Sequence, residues 1–114
     1  MRTAGPDPGE QGVFRALADP TRRNILVHLT SRDMTIAEVA DRFDMTRAAV
    51  RKHLTILEEG RLISIRPSGR ERLTRLEPLG LKTAADWLDR FSRFWDARLA
   101  ALQQAVEQEE SQKK

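Results

Sequence analysis

The chain has 114 residues, of which 39% are hydrophobic and 32% are charged, and its formal net charge is +3. This length and composition fit one globular domain and exclude a chain that is disordered as a whole. The absence of cysteine excludes disulfides and thiolate metal sites, and no apolar run approaches the roughly 20 residues that span a bilayer. We therefore expect a cytoplasmic protein with no membrane segment.

The N-terminal half predicts three short helices. Residues 1–9 hold prolines and glycines without an apolar stretch, so we expect a flexible arm there and no signal peptide. The first helix is expected over 11–18. Asp19 and the proline after it signal the second helix, because Asp caps a helix and Pro suits its first position. Thr35, followed three residues later by Glu38, predicts a capping box that starts the third.

A fourth helix is expected from Thr46, which can cap it, to about Glu59. Its buried stripe follows helical spacing and consists of Val50, Leu54 and Leu57. Gly60 is expected to end this helix in the left-handed conformation that glycine tolerates. About three residues separate it from the third helix, which is typical of a helix-turn-helix.

The C-terminal half predicts a hairpin and one long helix. Two β-compatible segments, 62–66 and 71–76, flank a turn that contains Pro and Gly. An apolar stripe with both tryptophans then predicts a single helix over about 81–108. We expect one domain over 10–110, with a frayed tail at 111–114.

Positive charge is concentrated in the middle of the chain. The segment 46–75 contains eight basic and three acidic residues, whereas 80–110 contains four basic and six acidic residues. A basic excess of this kind indicates a polyanion partner. The alternative is an ordinary solvated face.

The order of elements predicts a mainly α-helical winged helix-turn-helix with a small β-hairpin wing, dimerising through its terminal helices. The fourth helix would be the recognition helix, because arginine can bond guanine O6 and N7 in the major groove of double-stranded DNA. Its candidate DNA-binding residues are Thr46, Arg47, Ala48, Arg51, Lys52 and Thr55. In the wing, basic side chains that can reach the adjacent minor groove or its phosphates are Arg66, Arg70 and Arg72.

The aromatic stripe of the last helix is too apolar for a solitary surface helix, so we expect a homodimer. The candidate interface residues are Phe14, Leu17, Trp87, Phe91, Phe94, Trp95, Leu99 and Leu102. Packing onto the first helix of the same chain and lining a ligand pocket remain alternatives. His28 is expected to be structural, and His53 to pack or hydrogen-bond locally, with a phosphate contact as the alternative.

Four stretches resemble the ArsR/SmtB family of winged helix-turn-helix repressors, and the whole resemblance extends over about 13–106. They are FRALADPTRRNILVHL (14–29), TIAEVADRFDMT (35–46), AVRKHLTILEEGRLISIRPSGRERL (49–73) and WLDRFSRFWDARLAAL (87–102). The aromatic end is most similar to the subgroup that does not sense metals. The resemblance implies a homodimer that represses by occluding a promoter, with release by an effector in the metal-sensing members.

The chain departs from the family's metal sensors and from its common recognition helix. Its third helix has no Cys and its last helix no His, and the Asp86 and Asp89 pair is a poor transition-metal site. We therefore expect no metal and no cofactor, and the sequence names no small-molecule effector. Many members have Ser in place of Arg51 and a small or apolar residue in place of Arg47, so the resemblance implies no operator sequence.

Three other classes compete with a DNA-binding regulator. A winged helix can serve as a protein-interaction module without DNA binding, and the exposed arginines of the fourth helix argue against that. A MarR-like winged-helix regulator is disfavoured by the short N-terminal part. An enzyme is disfavoured because the chain has neither a cluster of His and carboxylates nor a Gly-rich phosphate loop.

Overall fold

Six helices and three short strands make up residues 8–112, the part of the chain that the computed structural model describes. In chain order they are α1 (Pro8–Leu17), α2 (Pro20–Leu29), β1 (Met34–Thr35), α3 (Ile36–Arg42), α4 (Arg47–Glu59), β2 (Ile63–Ser68), β3 (Glu71–Leu76), α5 (Pro78–Asp89) and α6 (Ser92–Gln112). The chain divides into two compact units, one up to Ala84 and one from Ala85.

Helices α2 and α3 begin at the capping residues that the sequence predicted. The Asp19 carboxylate accepts from the Thr21 N–H at 2.7 Å, and this backbone hydrogen bond lowers the pKa of Asp19. The predicted capping box is also confirmed. The Thr35 hydroxyl accepts from the Glu38 N–H at 3.1 Å, while the Glu38 carboxylate accepts from the Thr35 N–H at 2.9 Å and has its pKa lowered by that bond.

The core of the first unit lies where α4 packs against α1, α2 and α3 and against the sheet. The predicted stripe of α4 is confirmed, since Val50, Leu54 and Leu57 are at most 1% exposed. Other fully buried apolar side chains around it are Val13, Ile25, Val39, Leu62 and Ile63. One face of α4 is therefore fixed by apolar burial, and the opposite face is left exposed.

The sheet is antiparallel, with the strand order β1-β3-β2. The two-residue strand β1 was not predicted, because it exists only through its pairing of Met34 with Thr74 and Thr35 with Leu73. The hairpin is longer than predicted and its turn is shorter, consisting of Gly69 and Arg70 alone. Pro67 lies within β2, which tolerates it because β2 is an edge strand and proline donates no hydrogen bond.

Gly60 ends α4 as predicted, but its predicted left-handed conformation is wrong. Its φ is −81°, and Arg61 adopts the positive φ of 59°. The glycine is required by close packing instead, because a Cβ on Gly60 would lie 2.7 Å from the carbonyl oxygen of Gly12 in α1. At the next junction, a Cβ on Gly80 would lie 2.5 Å from the carbonyl oxygen of Gly60.

The predicted single helix over 81–108 is wrong, because two helices, α5 and α6, replace it. The amides of Arg90 and Phe91 bond back three residues to Trp87 and Leu88, which tightens the end of α5. The Phe91 carbonyl then accepts from the Trp95 N–H and starts α6. Neither glycine nor proline marks this break.

The predicted termini are also revised. Helix α1 begins at Pro8, three residues before the predicted start and within the predicted arm at 1–9. Helix α6 continues to Gln112, so residues 111 and 112 of the predicted frayed tail are helical. The remainder of the arm, 1–7, and of the tail, 113–114, lies outside the described residues.

Candidate nucleic-acid interface

Helix α4 begins with a side-chain cap that leaves its first turn open to solvent. The Thr46 hydroxyl accepts from the Ala49 N–H at 3.1 Å, as the sequence predicted. The same hydroxyl keeps its own proton for donation to an acceptor outside the chain. Thr46, Arg47 and Ala48 are all exposed, so nothing in the first unit covers this end of the helix.

A four-residue turn, 43–46, connects α3 to α4. Asp44 has a φ of 51°, which is a conformation that Asp and Asn tolerate better than most residues. The Met45 N–H donates to the Ala40 carbonyl at 2.9 Å and closes the end of α3. Two short helices joined in this way form a helix-turn-helix, with α4 as its second helix.

The hairpin of β2 and β3 directs its arginines to two different faces. Opposite residues of antiparallel strands share a face, and successive residues alternate. Arg72 pairs with Pro67 and lies on the face of the buried Thr74, whereas Arg66 pairs with Leu73 and lies on the other face. Arg70 lies in the turn after Gly69, whose φ of +62° suits glycine.

The described residues bring the recognition-helix arginines and two of the wing arginines to one cleft. This cleft, which we call the arginine cleft, has a volume of about 270 Å³ and is lined by Thr35, Ile36, Ala37, Arg47, Arg51, Arg70, Glu71 and Arg72. A neighbouring cleft of about 330 Å³ shares Arg51 and Arg72 and adds Thr55 of α4. Arg66 lines neither cleft.

Four arginines but a single acid, Glu71, line the arginine cleft, so within residues 8–112 its charge is positive. The guanidinium groups of Arg47, Arg51, Arg70 and Arg72 make no ion pair there. By contrast, Arg32 pairs with Glu38 at 2.8 Å and Arg75 pairs with Asp33 at 3.6 Å. Four cations that converge without carboxylate partners favour an anionic ligand.

The remaining candidate residues of α4 lie on the same exposed face. Lys52 is exposed beside Arg51, and the Thr55 hydroxyl donates to the Arg51 carbonyl at 2.9 Å. Ala48 presents a small side chain that lets another surface approach closely. The face therefore combines cations with small and polar side chains, as a helix that enters the major groove requires.

Comparison with known proteins agrees with this geometry. A helix-turn-helix domain family matches residues 17–66. HTH-type transcriptional regulator Rv2034 of Mycobacterium tuberculosis is 36% identical over 97 residues, which are 85% of this chain and 88% of that protein. Transcriptional repressor SdpR of Bacillus subtilis is 34% identical over 79 residues, 69% of this chain and 88% of that protein.

Solved structures give the same result. An ArsR-like transcriptional regulator from Rhodococcus sp. RHA1 is 36% identical, covers 84% of this chain over 91% of its own length, and superposes with a TM-score of 0.66. The ArsR family transcriptional regulator RHA00566 is 33% identical, with 82% and 97% of the two chains covered and a TM-score of 0.72. The chain belongs to the ArsR family.

Membership of the ArsR family confirms the predicted winged helix-turn-helix fold and the class of DNA-binding transcriptional regulators. The family consists of regulators and not of enzymes, which confirms that prediction as well. Within this fold α3 and α4 are the helix-turn-helix, and β2 and β3 are the wing.

One buried residue of this ArsR-family chain was not singled out by its sequence pattern. Arg22 of α2 is 9% exposed. Its guanidinium donates to the carbonyls of Ala16 at 2.8 Å and Arg15 at 2.9 Å, and it lies 3.3 Å from Nδ1 of His53. The prediction of a local hydrogen bond for His53 agrees with this contact. In the sequence, Arg22 is one of two adjacent arginines, and nothing local shows which of them is buried.

His28 has a structural role in α2, as predicted. Its Nδ1 lies 2.9 Å from the Asn24 carbonyl, and its ring packs edge-on against Phe43 at 4.9 Å between centroids. These contacts hold the end of α3 against α2. His28 therefore supports the helix-turn-helix from a position outside the arginine cleft.

The candidate dimer residues occupy both units. In the first unit Phe14 and Leu17 are half-buried, and Leu17 packs against the core. In the second unit Trp87 packs against Phe91, with ring centroids 5.0 Å apart. The large apolar side chains of α6 that the sequence assigned to the interface are exposed, namely Phe94, Trp95, Leu99 and Leu102.

Residues 8–112 contain no group of three His, Cys, Asp or Glu side chains placed to hold a metal ion. No helix within that range is long and apolar enough to cross a membrane.

Proposed function

We propose that this ArsR-family regulator binds promoter DNA sequence-specifically as a homodimer and represses transcription by occluding the promoter. The observation that carries the proposal is the arginine cleft, where two arginines of α4 and two of the wing converge without acidic partners. SdpR, a relative covered over most of its length, is a transcriptional repressor. Action on a bacterial promoter implies a cytoplasmic location.

In this proposal α4 enters the major groove and the wing follows the adjacent backbone. Arg47 and Arg51 are one helical turn apart on the exposed face and would contact base edges, where a bidentate guanine contact contributes about 1–3 kcal/mol of discrimination. Arg70 and Arg72 would bind phosphates or the minor-groove edge. Thr46 would donate to a phosphate near the start of α4.

The contribution proposed for Arg66 is smaller than that of the other wing arginines. Its side chain lies on the face of the hairpin opposite to Arg72 and lines neither cleft. An arginine in that position can add long-range attraction to DNA, but it does not lie beside α4 and would not bind the phosphates next to that helix. We therefore rank Arg66 below Arg70 and Arg72.

The homodimer is proposed from the apolar stripe of α6 and from the length of DNA that one helix can read. Trp95, Leu99 and Leu102 are 49–61% exposed and fall at helical spacing. Covering such a stripe with a second copy removes it from water. A two-fold dimer would place two recognition helices about 34 Å apart, one turn of DNA.

The experiment that tests DNA binding titrates the protein against a fluorescent duplex from its own upstream region and against an unrelated duplex, at several salt concentrations. We expect preferential binding to the promoter that weakens steeply with salt. Because Arg51 is proposed to contact a base edge, Arg51→Ala should lower affinity for the promoter at least tenfold and reduce its preference over the unrelated duplex.

The matched control is Arg75→Ala. Arg75 lies on the same strand as Arg72, but it pairs with Asp33 and lies on the opposite face of the hairpin. We expect Arg75→Ala to change affinity less than about twofold, and Arg72→Ala to lower it several-fold. Weak and equal binding of both duplexes would instead support a protein-interaction module with a merely basic surface.

Sedimentation velocity tests the homodimer. Leu102→Asp places a charge within the apolar stripe of α6, and we expect it to shift the protein from dimer to monomer. Gln104→Asp, on the opposite side of the same helix, introduces the same charge and should leave the dimer intact. Equal sedimentation of both variants would mean that the stripe of α6 is not the interface.

A further inference from the structure

Arg22 connects three helices through one buried guanidinium. Its Nε and Nη2 donate to carbonyls in the last turn of α1, at Ala16 and Arg15. Both carbonyls lie at a helix C-terminus, where a cation is favoured by the helix dipole, and the Arg15 carbonyl also accepts from the Ala18 N–H at 3.3 Å. Its Nη1 lies 3.7 Å from the Asp19 carboxylate and 3.3 Å from Nδ1 of His53 in α4.

The contact between Arg22 and His53 has a defined direction. Arginine has donors and no acceptor, so Nδ1 of His53 must supply the lone pair. Two carbonyls of α1 hold the guanidinium in place. It can therefore donate to the imidazole only when α4 is rotated about its axis within a narrow range.

His53 is placed where it can influence the DNA-binding face without being part of it. It is half-buried, between the buried Leu54 of the core stripe and the exposed Lys52. Arg51 precedes it by two residues. A small rotation of α4 about its axis would move His53 away from Arg22 and turn the exposed arginines relative to the wing.

We propose that Arg22 and His53 are positioning residues that hold α4 in the orientation required for DNA binding. The inference rests on the proposed function of α4 as the recognition helix. The apolar stripe of α4 resists separation from the core, but apolar contacts are not directional. The Arg22–His53 hydrogen bond, midway along α4, fixes rotation, while the contact of Gly60 with Gly12 fixes its C-terminal end.

The expected change in DNA affinity depends on the fraction of molecules in which α4 has the orientation that binds DNA. If loss of the bond leaves about one tenth of the molecules with α4 correctly rotated, the apparent affinity falls tenfold, which corresponds to about 1.4 kcal/mol. The number of DNA phosphates contacted in the complex does not change. The slope of affinity against salt therefore stays the same, unlike the slope for loss of a phosphate-binding arginine.

The experiment compares His53→Leu with His53→Asn in promoter binding. Leucine fills much of the space without an acceptor, whereas Oδ1 of asparagine is attached at the same position as Nδ1 of histidine and can accept from Arg22. We expect His53→Leu to weaken binding about tenfold with an unchanged salt slope, and His53→Asn to remain within about twofold of the parent chain.

Folding is measured on the same samples, and affinities are compared at a temperature where every variant is more than about 99% folded by its own unfolding curve. Arg22→Met tests the other partner. Combined with His53→Leu, it should cause no greater loss than Arg22→Met alone, because Arg22→Met already removes the contact with His53. If Arg22→Met does not fold, the His53 pair of variants still decides the question.

The outcomes separate this inference from the proposed function. Equal affinity of the parent, His53→Leu and His53→Asn chains, with preferential promoter binding intact, would overturn the positioning role alone. A parent chain that does not prefer its promoter would overturn the proposed function, and the inference with it. A tenfold loss in both His53 variants would show that the acceptor is not what matters, which also overturns the positioning role.

Discussion

Two helices of this chain carry leucines at helical spacing, but the leucines are buried in one helix and exposed in the other. On α4, Leu54 and Leu57 are at most 1% exposed, whereas on α6 Leu99 and Leu102 are 58% and 61% exposed. No described residue of α6 is buried. Periodicity therefore identifies an apolar face in both helices, but it does not identify what covers that face.

The difference has a physical origin in what each helix meets within the chain. Helix α4 has neighbours on several sides, since α1, α2, α3 and β2 all contact it. Helix α6 belongs to the second unit, which consists of the end of α5 and α6 alone. The end of α5 and α6 offer too little apolar surface to bury one another fully. In the proposed homodimer, a second copy of the chain covers the stripe of α6.

The largest expected effect comes from shortening a leucine in each helix. Leu54→Ala should lower the free energy of unfolding by about 3 kcal/mol, because it leaves a cavity in a packed core. Leu102→Ala should have an effect that depends on protein concentration, as expected for a side chain buried only by association. Urea unfolding at two widely separated concentrations measures both. A concentration-independent loss of about 3 kcal/mol for Leu102→Ala would break the contrast.

The next largest loss of stability is expected from a substitution of Gly80, which packs closely against Gly60 in the first unit. Gly80→Ala should destabilise by about 2 kcal/mol, because its Cβ would meet the carbonyl oxygens of Gly60 and Arg61 at 2.5 and 2.7 Å. Gly69→Ala is the control, since a Cβ there meets nothing within 4 Å but must adopt a positive φ. That strain costs about 1 kcal/mol. Thermal unfolding that ranks Gly69→Ala as the more damaging change would contradict the close packing.

A smaller effect, a gain in the free energy of unfolding, is expected from a substitution in the central strand, β3. The Thr74 hydroxyl is buried and has no hydrogen-bond partner among the described residues. Thr74→Val should therefore stabilise the first unit by about 1 kcal/mol. The same change at Thr35 removes the cap of α3 and should destabilise by about 1 kcal/mol. If the denaturant midpoints of Thr74→Val and Thr35→Val shift in the same direction, the two hydroxyls do not have these different roles.

The smallest expected effect concerns acid. The bond from the Thr35 N–H holds the pKa of Glu38 below its ordinary value of 4.5. A lowered pKa in the folded state stabilises the protein above the unfolded value, and this stabilisation is lost as the pH falls through the folded pKa. Glu38→Gln should flatten the acid side of the stability curve between about pH 5 and 3. Glu109→Gln on α6 should leave that curve as in the parent chain.

Much of the candidate site could be predicted because it depends on local signals. Thr46 caps α4 as expected, and the exposed face of α4 follows directly from the position of its buried stripe. The sequence could not show in the same way which wing arginines share a cleft with α4. Arg70 and Arg72 line that cleft and Arg66 does not, which depends on how the hairpin packs beside α4.

The sequence by itself determined the starts of α2, α3 and α4, the helix-turn-helix formed by α3 and α4, and the presence of a basic hairpin. Capping, helical periodicity and turn residues act over a few positions, so they can be read along the chain. The tertiary structure alone decided the pairing of β1, the packing role of Gly60 and the burial of Arg22. Each of these depends on a backbone or side chain distant in sequence, and no local pattern records which distant group that will be.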